Sequence, residues 1–488
     1  MKILKLFLSL LVIHITINLP AQSVTLDPAF GENGITTFSH TVGLVDFDNL
    51  GNIVVAGSSA DGFLSITKTN AEGKIDTGFG TEGVTTVSEY KIEYLLGMKI
   101  TKENKIFIIG WFLSPARTTI MLQFNEDGSL DDTYGEHGKI IADAVRIDTR
   151  AFYKMNFESD DFILTIHEGG GCPGFNLFCK HNYLGEIDES FGNNGVVNLI
   201  NTLQPFYQAT GNARMGSFKI LRDQNILITG QMHLASLYGE YLFFCKLTPQ
   251  GDLVTDFANN GVMVIQPDFY IKPGFDGRYT YFIDAIEDSN GNLVLTGLAS
   301  ISQIGDLSPF ISRFNSTGKI DSGFGQDGFL QLPSLPSTNN KVIQNGSNYL
   351  VKADQRIFSI NQDGTLDMNF NGSGDFFYGY TIRDMKLQSA GKLLIMTTDS
   401  ILARLNIPST ISNKEDIVYP SDLPVIFPNP VKDYLHFKTE KQFEISDIQG
   451  KILLKSKEAV QSVDVSHLNA GIYFIRFEND KAIKFIKE

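Results

Sequence analysis

The side chains best suited to chemistry in this sequence are aspartates that recur in one short pattern. The pattern is a hydrophobic residue, Asp, two variable residues, an aromatic residue and, in most copies, Gly-x-x-Gly. The aspartates are Asp27, Asp76, Asp131, Asp188, Asp321 and Asp367. Carboxylates transfer protons in general acid/base catalysis and also bind cations. Acid/base catalysis requires two carboxylates that converge, whereas regular spacing distributes these residues around a repeating structure, so the sequence identifies no catalytic pair.

A structural role explains the pattern better. Aspartates at turns accept hydrogen bonds from nearby backbone N–H groups, and we expect these six to do so, with a repeated cation site as the alternative. The aromatic members are expected to be buried between neighbouring repeats, with glycines after most of them to permit unusual backbone angles. They are Phe30, Phe79, Tyr134, Phe191, Phe257, Phe324 and Phe370. The fifth copy departs most, with Val254 in the Asp position and Ala258 in the first Gly position.

Other catalytic signatures are missing from the sequence. It has no Gly-x-Ser-x-Gly elbow, His-Glu-x-x-His motif, P-loop or nucleotide fingerprint. The histidines after the first 21 residues are scattered without the spacing of metal ligands. Cys172 and Cys179 are close enough in sequence to form a disulfide, but Cys179 and Cys245 also share a Phe-Cys-Lys position in adjacent repeats, which is typical of two buried thiols. We therefore predict no catalytic residue and no cofactor.

Two local segments could bind a ligand. Residues 46–51 open like a calcium-binding loop, but Leu50 stands where an oxygen ligand is needed, so a hairpin turn is the better interpretation and calcium the alternative. The fifth repeat contains an aromatic insertion at residues 267–282 that could stack on sugars or peptide side chains, although aromatic residues in repeat folds more often pack between repeats. The candidate ligand residues in this insertion are Tyr270, Phe275, Tyr279 and Tyr281.

The pattern divides most of the chain into seven repeats whose Asp positions lie 46 to 67 residues apart. Each repeat contains short runs rich in Ile, Val, Leu and Phe between Gly, Asn and Asp turns, which indicates strands and hairpins. Units of about 40 to 50 residues are typical of four-stranded propeller blades, whereas the rungs of an open β-solenoid are much shorter. The sequence therefore predicts an all-β, seven-bladed β-propeller.

The two ends of the repeat region predict how the ring closes. The last strand of the seventh repeat, Ile401 to Asn406, has no hairpin partner after it. The N-terminal segment Val24 to Asp27 has the sequence of that missing partner. We therefore expect it to pair with the last blade and complete the ring, which also removes exposed strand edges.

These repeats resemble the delta-60 repeat of bacterial β-propellers, a family without an agreed biochemical activity. The resemblance covers Leu26 to Asn406 and rests on the seven aromatic-Gly segments. It implies a propeller fold and no particular ligand.

The N-terminus and the composition define the cellular context. Lys2 and Lys5 precede an apolar run, and Ala21 followed by Gln22 offers a cleavage site, which predicts a signal peptide at residues 1–21. No later apolar run is long enough to span a membrane. The net charge of -15 argues against nucleic-acid binding. The acidity belongs to the repeats, and it favours solubility outside the cell, with an acidic funnel for basic ligands as the alternative.

The C-terminal segment carries a second signature. Residues 407–424 are rich in Ser, Thr, Pro and Asp and interrupt the repeats as a linker, and residues 425–488 contain alternating strand patterns typical of a small β-sandwich. This segment resembles the type A C-terminal sorting domain of the type IX secretion system. The residues that carry the resemblance are Pro428, Asn429, Pro430, Gly450, Lys451, Gly471, Tyr473 and Lys484. The resemblance implies export through the periplasm, contact with the secretion machinery and removal of the domain by a cell-surface sortase.

The sequence thus predicts a signal peptide (1–21), a seven-bladed propeller (22–406), a linker (407–424) and a C-terminal sorting sandwich (425–488). We expect a secreted or cell-surface protein that binds an unidentified extracellular ligand without turnover. The alternatives are a secreted glycan-active enzyme with carboxylates at the mouth of the propeller and a purely structural ring in a surface layer.

Overall fold

A computed structural model of the chain is almost entirely β-structure. The structure describes residues 23–113, 117–141, 152–156, 162–168, 176–199, 201–203, 209–234, 240–265, 281–300, 307–333, 340–397, 400–408, 426–427, 431–432, 434–447, 451–456, 458–477 and 483–487. The chain forms two compact units, which divide between Ser412 and Asn413.

Within the described residues, the first unit contains 28 strands, most of them built from β-branched and aromatic residues that favour a pleated, half-buried backbone. They are β1 (Thr25–Leu26), β2 (Ile35–Thr37), β3 (Leu44–Phe47), β4 (Ile53–Ser58), β5 (Phe63–Thr69), β6 (Val84–Ile100), β7 (Ile106–Leu113), β8 (Arg117–Phe124), β9 (Lys139–Ile141), β10 (Phe152–Asn156), β11 (Ile163–Glu168), β12 (Asn176–His181), β13 (Val196–Asn198), β14 (Ala209–Ile220), β15 (Ile226–Leu234), β16 (Glu240–Leu247), β17 (Val262–Ile265), β18 (Tyr281–Glu287), β19 (Leu293–Ser300), β20 (Leu307–Phe314), β21 (Phe329–Gln331), β22 (Lys341–Asn345), β23 (Asn348–Ala353), β24 (Arg356–Ile360), β25 (Asp375–Phe377), β26 (Ile382–Ser389), β27 (Lys392–Thr397) and β28 (Ile401–Asn406).

These strands form seven antiparallel blades in the described part of the chain. Blades 3 to 6 are separate four-stranded sheets, β10–β13, β14–β17, β18–β21 and β22–β25. Blades 1 and 2 share one sheet, β3 to β9, because the long strand β6 is the fourth strand of blade 1 and then the first strand of blade 2. Blade 7 consists of β26, β27 and β28 together with β1 and β2. The fold is therefore the predicted seven-bladed β-propeller.

The N-terminal segment completes the last blade, which confirms the predicted closure. Thr25 pairs with Asn406 and Leu26 with Leu405, and the Asp27 N–H donates to the Arg404 carbonyl at 2.8 Å. Strand β2 then continues along β28, with Ile35 opposite Ala403.

Antiparallel pairing gives the ring two different ends. The turns between the first and second strands of a blade, and the repeated aromatic-Gly segments between its third and fourth strands, lie at one end, which we call the motif end. The turns between second and third strands, and the connections from one blade to the next, lie at the opposite end, which we call the connection end.

At the motif end, five of the seven motifs join their blade to the next by the same backbone contact. The N–H of the residue after the motif aromatic donates to a carbonyl in the hairpin turn of the following blade. The pairs are Gly31 to Glu72, Gly80 to Asp127, Gly192 to Gln250, Ala258 to Thr317 and Gly325 to Asp363, at 2.6 to 2.8 Å. The third copy uses a side chain instead, because the Tyr134 hydroxyl donates to the Tyr183 carbonyl.

The motif aromatics fill the space beneath these contacts. All seven are at most 5 % exposed, which is the burial expected of them. The fit is tight: a Cβ added to Gly73 in the turn of blade 1 would lie 2.6 Å from the Phe30 ring, and one on Gly128 would lie 2.7 Å from the Phe79 ring. The main cores lie between adjacent blades, as in the cluster that joins Val54 and Leu64 of blade 1 to Ile108 and Leu122 of blade 2.

The second unit is a small β-sandwich of two sheets. Its strands are β29 (Ile426–Phe427), β30 (Tyr434–Lys441), β31 (Phe443–Ser446), β32 (Ile452–Lys455), β33 (Val460–Asp464), β34 (Gly471–Phe477) and β35 (Ile483–Lys487). One sheet has the order β29-β30-β33 and the other β32-β31-β34-β35. Its own core includes Leu435, Ile445, Ile475 and Phe485, so this unit has the internal packing of an independent domain.

A glycine substitution tests the strain in the fifth motif. Ala258 has a φ of 50°, where most copies have glycine. A left-handed backbone costs an L-residue about 1 kcal/mol or more, so we expect Ala258→Gly to raise the free energy of unfolding by about 1 kcal/mol. The matched variant Gly192→Ala should lower it by at least that amount, because the added Cβ would lie 2.5 Å from the Val196 carbonyl oxygen. Urea unfolding followed by the fluorescence of Trp111 measures both variants. A loss of stability in Ala258→Gly, or a gain in Gly192→Ala, would contradict this account.

A buried histidine predicts acid sensitivity. His181 is 3 % exposed, its Nε2 lies 3.1 Å from Thr165 Oγ1, and burial lowers its pKa from 6.5 to about 4. Between these values the unfolded chain binds a proton that the folded chain does not, so stability falls as the pH is lowered from 6.5 to 4, by about 3 kcal/mol at most. Carboxylates with lowered pKa act below this window. Unfolding free energies measured across this window should show the loss. His181→Gln should reduce the slope without abolishing it, because burial also lowers the pKa of His40; an unchanged slope in the variant would refute the assignment.

Candidate functional site

The repeated aspartates lie in the turns of the motif end and are held by the protein itself. In all six copies Oδ1 accepts the N–H of the residue two positions later, at 3.0 to 3.2 Å. Several also pair with a cation of the same blade: Asp27 Oδ2 lies 2.7 Å from both Lys392 and Arg404, and Asp131 lies 2.9 Å from Lys105. Further pairs join Asp188 to Lys180 and Asp321 to Arg313. These contacts support the structural role of the motif.

The divergent fifth copy shows why a missing aspartate is tolerated. Val254 replaces the aspartate, yet its N–H still donates to the Lys246 carbonyl at 2.9 Å, as in the other copies. Lys246 pairs instead with Asp223 in the turn between β14 and β15, at 2.6 Å. The positive charge on the third strand is thus neutralised by an aspartate of the hairpin turn between the first two strands in blade 4, whereas the motif aspartate neutralises it in blade 3. Burial of the Asp27 carboxyl would raise its pKa, but Lys392, the Ala29 N–H and Arg404 together lower it.

Residues 46–51 form the hairpin between β3 and β4. The Asp48 carboxylate accepts hydrogen bonds from the backbone and side chain of Asn52 and lies 3.0 Å from the Lys68 ammonium. The described residues contain no group of three or more His, Cys, Asp or Glu side chains arranged to hold a metal ion. Calcium binding therefore gains no support from this loop.

Cys179 and Cys245 are free, buried thiols at equivalent positions of β12 and β16, and burial raises the pKa of each to about 12. The two-thiol alternative is the one observed, and the disulfide between Cys172 and Cys179 was the wrong alternative. Cys172 itself lies outside the described residues.

Other predicted site residues fall partly outside the described residues. This is so for Tyr270, Phe275 and Tyr279 of the candidate ligand loop, for the side chain of Tyr281, and for Pro428, Asn429, Pro430 and Gly450 of the sorting motif. In the C-terminal unit, Gly471 begins β34, and Tyr473 stacks on Phe485 at 5.6 Å while its hydroxyl donates to the Asn469 carbonyl. Lys451 directly precedes β32, and Lys484 is opposite Phe474 in the pairing of β34 with β35.

Sequence patterns missed a charged cluster near the axis of the propeller, formed by residues on the first strands of the blades together with Lys352 on a second strand. We call it the axial cluster: Asp46, Asp284, Lys341, Lys352, Asp384 and Lys386. Each contact joins neighbouring blades: Lys341 to Asp384 at 2.5 Å, Lys386 to Asp46 at 3.0 Å and the Val342 N–H to Asp284 at 3.1 Å. Asp46 also accepts the Ile100 N–H at 2.9 Å. None of these residues belongs to a recurring motif, so no repeat signal marks them.

Lys352 is the most unusual member because it is fully buried in the second strand of blade 6. Its ammonium donates to the carbonyls of Ile382 at 2.9 Å and Arg383 at 3.2 Å, where the chain enters blade 7. Burial lowers the pKa of Lys352 to about 8, and Asp384 opposes part of that change. For Asp384, burial would raise the pKa, but Lys341 and Lys386 lower it below its ordinary value. The positive and negative charges of the axial cluster thus balance one another within the cluster.

Exposed aromatic side chains lie at the connection end. Tyr94 is 57 % exposed near the start of blade 2 and contacts Trp111 at 6.0 Å between ring centroids. Where blade 6 leads into blade 7, Phe377 and Tyr380 are 56 % and 52 % exposed, and Tyr378 lies 5.8 Å from Tyr380. This end therefore presents aromatic surface to solvent, whereas the motif aromatics at the other end are buried.

Comparison with known families identifies both parts of the chain. Residues 425–488 match the family described as a secretion system C-terminal sorting domain. Residues 104–134 match the family described as a domain of unknown function (DUF5122) beta-propeller, and this range includes β7, β8 and the start of the third motif. No curated protein matches the chain. No helix in the described residues is long and apolar enough to cross a membrane.

The solved structures that match the chain share little sequence with it. PorZ, described as a surface component of the type-IX secretion system of Porphyromonas gingivalis, is 12% identical, with 92% of this chain and 74% of that chain covered and a TM-score of 0.33. The Neurospora crassa Pan2 WD40 domain is 11% identical over 78% and 95%, with a TM-score of 0.43. A PL25 ulvan lyase is 9% identical over 79% and 100%, with a TM-score of 0.38. These scores carry no inference about what the chain binds.

The family matches, the seven blades and the terminal sandwich lead to one assignment. The chain carries a type IX secretion C-terminal sorting domain at residues 425–488, preceded in the sequence by a β-propeller of which residues 104–134 match the DUF5122 family, and it is exported to the cell surface or secreted.

Proposed function

We propose that the propeller is a non-catalytic binding module that engages an extracellular ligand at its connection end. The observation that carries the proposal is the unequal distribution of aromatic surface. At the motif end the aromatic rings are buried and serve assembly, whereas Tyr94, Phe377 and Tyr380 are more than half exposed at the connection end. Large aromatic side chains in contact with water are favoured at binding surfaces, because they bury much area when a partner arrives.

The electrostatics favour binding over catalysis. A glycan-active enzyme of the usual kind needs a carboxylic acid whose pKa is raised so that it can donate a proton. In the described residues, every carboxyl group whose pKa departs clearly from its ordinary value has a lowered pKa. At the axis, Lys341 and Lys386 neutralise Asp384 and Asp46. Both carboxylates are therefore already engaged in ion pairs.

The binding function is tested on the purified mature protein with a glycan and protein array monitored for capture and for cleavage. We expect retention of at least one ligand class without new products, and Tyr94→Ala or Tyr380→Ala to reduce retention. As a matched control, Leu50→Ala changes an exposed residue at the motif end and should leave retention unchanged. Product release from a captured glycan would support the enzyme alternative, and capture of nothing would end the binding proposal.

We also propose how the two units are used during export. The sorting domain engages the secretion machinery, and a sortase then cleaves within residues 407–424, a polar segment with three prolines between two packed cores. The signal peptide at residues 1–21, which lies outside the described residues, directs the first step. The separate core of the C-terminal unit supports this division, because its removal leaves the packing of the blades intact.

Deletion of residues 425–488 tests the export assignment. We expect the truncated protein to fold, since its thermal unfolding should match that of the propeller in the full chain, and to accumulate in the periplasm. Mass spectrometry of surface material from the intact gene should find a mature protein that lacks the terminal domain. Intact chains that end at Glu488, or normal surface delivery of the truncated protein, would contradict the proposal.

A further inference from the structure

Tyr94 and Trp111 form a paired aromatic surface at the connection end of blade 2. Tyr94 on β6 is directly opposite Trp111 on β7, so both side chains project from the same face of the sheet. Their rings are 6.0 Å apart and inclined by 46°. A register shift between Ile92 and Tyr94 interrupts β6 at this point. Such bulges redirect side chains and are enriched beside functional sites.

The two rings are held differently. Trp111 is half-buried and packs against the core between blades 2 and 3, which includes Phe107 and Ile109. Tyr94 is 57 % exposed, and no hydrogen bond to its hydroxyl is found within the described residues. A fixed indole beside an exposed phenol makes a rigid platform, so little side-chain entropy is lost when a ligand covers it.

The surroundings decide which ligand fits. Lys91 and Glu93 flank Tyr94 on the same strand and are both exposed, so their opposite charges leave the platform locally neutral. The Lys91 ammonium lies over the Phe63 ring at 5.6 Å and disfavours a second cation nearby. A neutral ligand with a flat face of C–H groups and hydroxyls at its edge suits the π-faces and the Tyr94 hydroxyl. These are the properties of a pyranose ring.

We propose that Tyr94 and Trp111 are a stacking platform for a sugar ring of a neutral glycan. The inference rests on the proposed binding function and assigns it a site and a ligand class. Tyr94 supplies the exposed stacking face and a hydroxyl for hydrogen bonding, and Trp111 supplies the fixed face.

The platform can be tested directly because Trp111 is the only tryptophan in the chain. Purified mature protein is titrated with maltohexaose, cellohexaose, laminarihexaose and chitohexaose while its tryptophan fluorescence is recorded. We expect at least one of these glycans to give a saturable change in intensity with a shift to shorter wavelength, because a bound sugar excludes water from the indole. Absence of a saturable change with all four overturns the proposal.

Variants separate stacking from other causes. Tyr94→Ala should weaken binding about tenfold, whereas Tyr94→Phe should retain most of it because the ring remains. The control Leu50→Ala removes an exposed side chain at the motif end and should leave this titration unchanged. Unfolding curves should be the same for all three variants, since Tyr94 and Leu50 are both more than half exposed.

Two further outcomes would overturn the platform. One is unchanged affinity in Tyr94→Ala, and the other is a larger response to choline or trilysine than to any glycan, which would indicate a cation site. If the array captures a ligand whose retention is insensitive to Tyr94→Ala, the binding function stands and this site does not. If the array captures nothing, the binding function itself fails.

Discussion

The contact between a repeated motif and the turn of the next blade, found for six of the seven motifs, is the constraint on which the propeller depends. A blade cannot bury both of its faces alone, so its core exists only when a neighbour is held against it. The hydrogen bond from Gly31 to Glu72, and its counterparts around the ring, set that distance. The positive φ of the donor residue, the buried aromatic beside it and the engaged aspartate all preserve this one geometry.

Because of this constraint, the two ends of the ring differ in how their side chains are used. At the motif end, polar groups are engaged within and between blades, as in the pairing of Asp27 with Lys392 and Arg404. The aromatic-Gly motif does not extend to the connection end, and individual blades differ there. Lys352 in blade 6 and Trp111 in blade 2 are such departures, and both lie at the ends of second strands. Residues that differ from blade to blade in this way give a nearly symmetric fold an asymmetric surface.

The features that recur in every repeat could be predicted from the sequence, whereas contacts that occur in a single blade could not. The seven blades and the burial of Phe30 and its equivalents followed from a pattern that recurs in every unit. No recurring pattern marks Lys341, Asp384 or the Tyr94–Trp111 pair. Their contacts depend on how neighbouring strands are aligned with each other, and the repeats do not show that alignment. The neutralisation of Lys246 by Asp223 was also hidden, since it compensates for the loss of an aspartate at Val254. Turn chemistry was thus predictable, whereas long-range side-chain pairing was not.

The closure of blade 7 has a consequence for the order of folding. Asp27 and Arg404 are 377 positions apart, so their contact cannot form until nearly the whole propeller has been synthesised. Contacts between distant residues slow folding, although the entropic cost of closing a loop grows only with the logarithm of its length. Until the N-terminal strand arrives, β28 is an unpaired edge that other chains can join. The N-terminal strand β1 therefore also protects the newly made ring against self-association.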